Sequence, residues 1–192
     1  MRARTPAARR LPAVACAAAL VLGVSACGRT GHPSSAENNG VYVDAGPVTY
    51  QLEVSRELNQ YSTEDSQYIR GLPTGVSTTL DPSQIWYGVF LWAKNQTRQP
   101  HMTAARFDII DTEGNHYYPI GLSPSANPYA WTSQRLGPNS IEPGPDTTAS
   151  FGPTQGGLLL FKLNTSVYDN RPLVLEIYPV GGGKPGSISL DL

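Results

Sequence analysis

The amino-acid sequence predicts an all-β fold: an antiparallel β-sandwich of seven to eight strands behind an N-terminal leader. Three observations predict it. Large apolar residues alternate with polar ones in stretch after stretch, and no long stretch repeats them at helical spacing. Gly (19) and Pro (17) fall between these stretches, where turns belong. Tyr, at 10, is the commonest aromatic, and charged residues make up only 15%, a profile of half-buried strands rather than amphipathic helices.

Residues 1–26 read as the leader. Arg2, Arg4, Arg9 and Arg10 precede an apolar run from Leu11 to Val24, and the small residues Ser25 and Ala26 precede Cys27. A basic start, a short apolar centre and a small-residue exit are the parts of a secretory signal peptide. The apolar run is shorter than the roughly 20 residues a membrane-spanning helix needs. Val24-Ser25-Ala26-Cys27 resembles the lipobox of bacterial lipoproteins, in which an aliphatic residue stands three before an obligatory cysteine. The resemblance implies cleavage between Ala26 and Cys27 and lipid attachment to the Cys27 sulfur. The protein is then expected on the extracytoplasmic face of the cell membrane, held by acyl chains that contribute about 0.8 kcal/mol per buried methylene.

Two further limits follow. Cys16 lies in the leader and Cys27 is the lipid site, so no disulfide is expected in the domain, which packing alone must hold. The leader carries four of the 14 Lys and Arg and none of the 15 Asp and Glu, leaving residues 27–192 at a net charge of about −5. A mildly acidic protein is a poor partner for nucleic acid.

Residues 27–46 are polar and rich in Gly, Ser and Asn, and are expected to be a flexible tether. The sandwich is expected over 47–192. Val48, Tyr50, Leu52 and Val54 alternate with polar residues and predict a first strand with one buried face. Arg56 to Ser83 is a long polar connection, with a short helix expected at Thr63-Glu64-Asp65-Ser66. Gln84 to Asn95 is the most apolar stretch of the mature chain. Ile85, Tyr87, Val89, Leu91 and Ala93 share one face, and Trp86, Phe90 and Trp92 share the other. This is either a central strand covered on both sides or one with an aromatic face left for a partner.

Thr103 to Asp111 is the next strand. It turns at Thr112-Glu113-Gly114-Asn115 into a return strand from Tyr117 and Tyr118. Gly121 to Pro145 is broken by five prolines and is expected to cross between sheets, with a brief strand near Ser133 to Leu136. Thr147 to Phe151 is expected to pair next. Gly157 to Leu163, Pro172 to Tyr178 and Ser187 to Leu192 complete the strands.

Over Val48 to Leu192 the pattern resembles the telokin-like, immunoglobulin-type β-sandwich domains of bacterial lipoproteins and small secreted antigens, most of unknown function. The residues that carry it are the apolar strand ending in Lys94-Asn95, Asp108-Ile109-Ile110-Asp111-Thr112-Glu113-Gly114-Asn115, the Ile141-Glu142-Pro143-Gly144 passage, and the strands Gly157 to Phe161 and Leu173 to Ile177. The chain departs from the pattern in its long Arg56 to Ser83 and Gly121 to Pro145 segments. The resemblance implies an immunoglobulin-like sandwich and brings no catalytic residues, and fold does not imply function.

Chemistry is sparse in the sequence. His32, His101 and His116 have no ligand spacing, so no metal or other cofactor is expected. His101-Met102 with His116 as soft copper ligands is the weaker reading beside polar loop residues. Asp108, Asp111, Glu113 and Asn115 crowd one hairpin, which explains them better than a calcium loop does. Glu57 with Glu64 and Asp65 reads as a solvated loop rather than a catalytic carboxylate pair. No nucleophile elbow, Cys–His pair or phosphate loop is present, and the chain is expected not to be an enzyme. Trp86, Phe90 and Trp92 are the candidate binding surface, with core packing as the alternative. The expected function is that of a membrane-anchored, extracytoplasmic binding or scaffolding module for an envelope partner. The alternative is a carrier of an apolar envelope ligand such as a lipid.

Overall fold

The computed structural model describes residues 31–190. The leader and the lipid site Cys27 lie outside the described residues. Twelve strands run in chain order: β1 (Ser35–Ala36), β2 (Tyr42–Ala45), β3 (Val48–Leu58), β4 (Gln84–Lys94), β5 (His101–Met102), β6 (Arg106–Ile110), β7 (His116–Tyr117), β8 (Arg135–Leu136), β9 (Ile141–Glu142), β10 (Gly157–Asn164), β11 (Leu173–Tyr178) and β12 (Gly186–Leu190). Seven of them are four residues or longer, which matches the expected number. Two four-residue helices, α1 (Thr63–Ser66) and α2 (Thr148–Phe151), and a 3-10 turn at Thr165–Tyr168 complete the described elements. Among the described residues no helix is long and apolar enough to cross a membrane.

The strands form an antiparallel β-sandwich. One sheet has the order β1-β12-β11-β6-β7, the other β10-β4-β3-β2 with β9 on β4, and β5 pairs with β8 apart from both. The parallel exception is β1 on β12. The core between the sheets takes Val43, Tyr50, Leu52, Tyr87, Val89 and Leu91 from one side and Phe107, Ile109, Leu175, Ile177 and Ile188 from the other. The alternation read in β4 and β11 is therefore the alternation of the pleat.

β4 is covered on its second face too. Trp86 and Phe90, with Leu158 and Leu160 of β10, pack under Tyr68, Ile69 and Tyr129 in a second buried cluster. The long 59–83 connection is thus ordered by what it covers. Buried Asn127 staples it down: its side-chain amide donates to the carbonyls of Tyr68 (2.9 Å) and Arg70 (3.0 Å), and its oxygen accepts the Tyr129 amide. α1 forms where the sequence places it, with Ser62 as its N-cap. Gly88 makes the close packing possible: a β-carbon there would sit 3.0 Å from Leu58 Cδ1 and 3.1 Å from Phe90 Cε2.

Three expectations are corrected. Residues 32–46 are not a flexible tether but part of the sandwich. Asp44 accepts the His32 amide at 2.8 Å and the Thr49 hydroxyl at 2.6 Å, and β2 pairs with β3 from Tyr42↔Gln51 to Ala45↔Val48. The boundary near 47 moves back to His32; polar hydrogen bonds, strand pairing and the burial of Val43 and Ala45 order this arm, which has no long hydrophobic run. Val54 does not share a face with Val48, Tyr50 and Leu52. The register of β3 on β4 shifts between Leu52 and Val54. This bulge sends Val54 and Leu58 to the second cluster. Thr147–Phe151 is not a strand; Thr148–Phe151 is the helix α2, with the Ser150 hydroxyl donating to the carbonyls of Pro145 and Thr147.

Candidate functional site

The structure separates the predicted aromatic trio. Trp86 and Phe90 are fully buried, and the Trp86 indole donates to the Thr78 carbonyl at 3.0 Å. They belong to the core. Trp92 lies beyond the covering segments and is half-buried. It lines a hollow of about 210 Å³ on the outer sheet face with Tyr42, Gln51, Lys94 and Ile141. Register places these residues together: Tyr42 lies opposite Gln51, Gln51 opposite Trp92, and Lys94 opposite Ile141. Tyr42 is 46% exposed there.

The other candidate residues have structural roles. Asp111 closes the β6–β7 hairpin by accepting the amides of Glu113 and Asn115, the Asn115 side chain, the Tyr117 hydroxyl and the Asn170 side chain. Burial pushes its carboxyl up, but these donors outweigh burial and hold it well below the usual carboxylate range. Gly114 supplies the positive φ the turn requires. Arg56 clamps Asp65 at 2.6 Å and approaches Glu64 at 3.6 Å. Burial raises the Asp65 carboxyl, and the guanidinium with the Asn59 amide brings it below its ordinary value. Glu57 accepts from the Tyr168 hydroxyl at 2.7 Å. His101 sits in β5, while His116 donates to Asp108 at 2.7 Å on a different sheet. Among the described residues no group of three or more His, Cys, Asp or Glu is arranged to hold a metal ion.

That His116–Asp108 contact extends into a network across β6, β7 and β11. Asp108 is fully buried and also takes a 3.2 Å contact from the Tyr178 hydroxyl, which donates to Glu176 at 2.6 Å. The Glu176 carboxylate and burial both push the Tyr178 hydroxyl up. Arg106 stacks over the Tyr178 ring at 4.0 Å.

Sequence reasoning missed Glu142. In β9 it lies opposite Ala93, an inward position of β4, whereas Ile141 faces the Trp92 hollow. Glu142 is 3% exposed, and its Oε2 has no hydrogen-bond partner among the described residues. Burial pushes its carboxyl up to about 7, against the opposing pull of the Thr103 and Gln134 side chains and the Thr132 backbone. It lines a cavity of about 180 Å³ with Tyr129, Trp131, Gln134, Pro143 and Gly157. Trp131 is fixed there by its indole N–H, which donates to the Ala104 carbonyl at 2.9 Å. The sequence signal was thin: one carboxylate between Ile141 and Pro143 in a Pro/Gly passage.

No family model and no curated protein matches the chain. Solved structures do. The yjhA protein of Bacillus subtilis is similar at 12% identity and a TM-score of 0.54, over 81% of this chain and 99% of that one. An uncharacterised β-sandwich protein of Clostridium difficile 630 gives 9% identity and a TM-score of 0.43, over 85% and 99% of the two chains. The ycdA protein of Bacillus subtilis, a candidate lipoprotein, gives 12% and 0.46, over 79% of this chain and 38% of that one. Likeness at such identity is a likeness of fold, and the chain is an antiparallel β-sandwich similar in fold to the yjhA protein.

Proposed function

We propose that the chain is a lipid-anchored module on the extracytoplasmic face of the cell membrane that binds an envelope protein without catalysing a reaction. The anchor rests on Val24-Ser25-Ala26-Cys27 and its resemblance to the lipobox. The binding role is carried by one observation, the Trp92 hollow. Trp92 belongs to neither buried cluster, so stability does not account for a large aromatic there. Trp and Tyr provide contact area at little entropic cost and are the residues interfaces favour. Gln51 and Lys94 give the hollow a polar rim. Stacking and hydrogen bonding suffice for recognition. A carrier of an apolar ligand would need the faces of Trp86 and Phe90, and both are closed.

A photo-crosslinker at position 51 of the full chain in its native membrane tests the reading. A discrete crosslinked envelope protein is expected, and it should be lost when Trp92→Ala and Lys94→Glu are combined. A crosslink that survives both substitutions, or that forms equally from exposed Tyr61, would refute it. Cys27→Ser is expected to move the protein out of the membrane fraction; retention there overturns the anchor.

A further inference from the structure

We infer that the cavity floored by Glu142 is a binding site for a small organic cation, a primary ammonium on a short carbon chain. The inference rests on the chain being a binding protein, but the site lies on the opposite side of β9 from the Trp92 hollow and is tested separately.

Glu142 carries an unsatisfied atom. A buried carboxylate oxygen with no donor carries a desolvation cost, and Glu142 Oε2 is such an atom. Thr103, Gln134 and Thr132 act on the carboxylate, yet they leave Oε2 without a hydrogen bond. Among the described residues Glu142 is the one charged side chain in the cavity lining, and no described cation neutralises it there. Tyr50, the titratable group that faces it from β3, is a neutral phenol whose hydroxyl burial pushes further up.

The walls select among donors. Tyr129 and Trp131 present aromatic rings, and Pro128 and Pro143 present apolar surface. Aromatic faces attract cations, more strongly when the pair is desolvated. An alkylammonium places its N–H groups on Oε2, cancels the buried charge and lays its carbon chain on the rings and prolines. A neutral alcohol supplies one hydrogen bond and leaves the charge. An anion meets the carboxylate. The volume, about 180 Å³, accommodates a short chain, and exposed Thr132 and Gln134 line the route in.

The test uses the full chain in a non-ionic detergent, in phosphate buffer, with n-butylammonium and 1-butanol as probes. Titration is followed by the indole N–H resonances of Trp86, Trp92 and Trp131. At pH 8 the ammonium is expected to shift Trp131 saturably and leave Trp86 unmoved, while butanol shifts neither. In Glu142→Gln the Trp131 response should be lost. In the unaltered chain the affinity should fall close to a hundredfold between pH 8 and pH 5, as the carboxyl takes up its proton. This second measurement holds even if the variant folds poorly. Equal response to butanol, unchanged affinity in Glu142→Gln, no pH dependence, or no saturable shift at pH 8 each overturns the inference. None of these results bears on the crosslink from position 51.

Discussion

Replacing Glu142 by Gln is expected to make the protein more stable at neutral and alkaline pH. The carboxyl titrates near 7 in the fold and near 4.5 when freed from it. Between these values the folded state holds a proton that the unfolded state has released. Stability therefore falls as pH rises from the unfolded value through the folded one. At 1.36 kcal/mol per pH unit, integration over this window gives a loss of about 2–3 kcal/mol between pH 5 and pH 8. Gln keeps the side chain's shape and places no charge in the interior, so the variant lacks this loss. The carboxyls of Asp65 and Asp111 shift the other way and titrate below pH 5, so they cancel in the comparison. Urea unfolding at pH 5 and pH 8, in buffers free of organic amines, reads the difference. With a slope of about 2 kcal/mol per M, the unaltered chain's midpoint should drop by about 1 M relative to the variant's. Parallel pH dependence in the two proteins refutes the burial argument for Glu142.

Three other outcomes follow from the packing. Trp86→Ala should cost about 3–5 kcal/mol in urea unfolding and Trp92→Ala less than about 1 kcal/mol, because the first is fully buried and the second is not; equal costs would contradict the division between core and surface. Gly88→Ala should cost about 1–3 kcal/mol, since its methyl meets Leu58 and Phe90 at 3.0 and 3.1 Å, and a neutral result would mean that the second cluster is loosely packed. Asp111→Asn should cost about 2 kcal/mol at pH 7 through the donors it leaves in the hairpin. It should also remove stability that the native chain keeps above the ordinary carboxylate value and loses as pH falls through the depressed one. Acid titration of both proteins by circular dichroism checks this.

The long strands were legible because their own residues carry the pattern. Ile85 to Ala93 alternate by pleat, and Leu173, Leu175 and Ile177 do the same. What escaped detection depends on distant partners. The 32–46 arm has few apolar groups, and its order comes from Asp44 meeting His32 and Thr49, from backbone pairing of Ser35 and Ala36 with β12, and from Val43 and Ala45 reaching the core. The bulge after Leu52 leaves no mark in a run that alternates cleanly through Val54. Trp86, Phe90 and Trp92 look alike in sequence; residues such as Tyr68 and Tyr129, far along the chain, cover two of them and leave the third. Glu142 was invisible for the same reason, since Trp131, Gln134 and Thr103 make its surroundings.

β9 is two residues long, and its side chains divide between two rooms. Ile141 is part of the wall of the Trp92 hollow, and Glu142 is the floor of the cavity behind it. One peptide unit joins the two side chains, and β9 pairs with β4 at Ala93 and Lys94. Whatever pushes on one side is felt on the other, so substitutions at Ile141 and Glu142 should not add in their effects. In this shortest class of strand, two surfaces thus share a single piece of backbone.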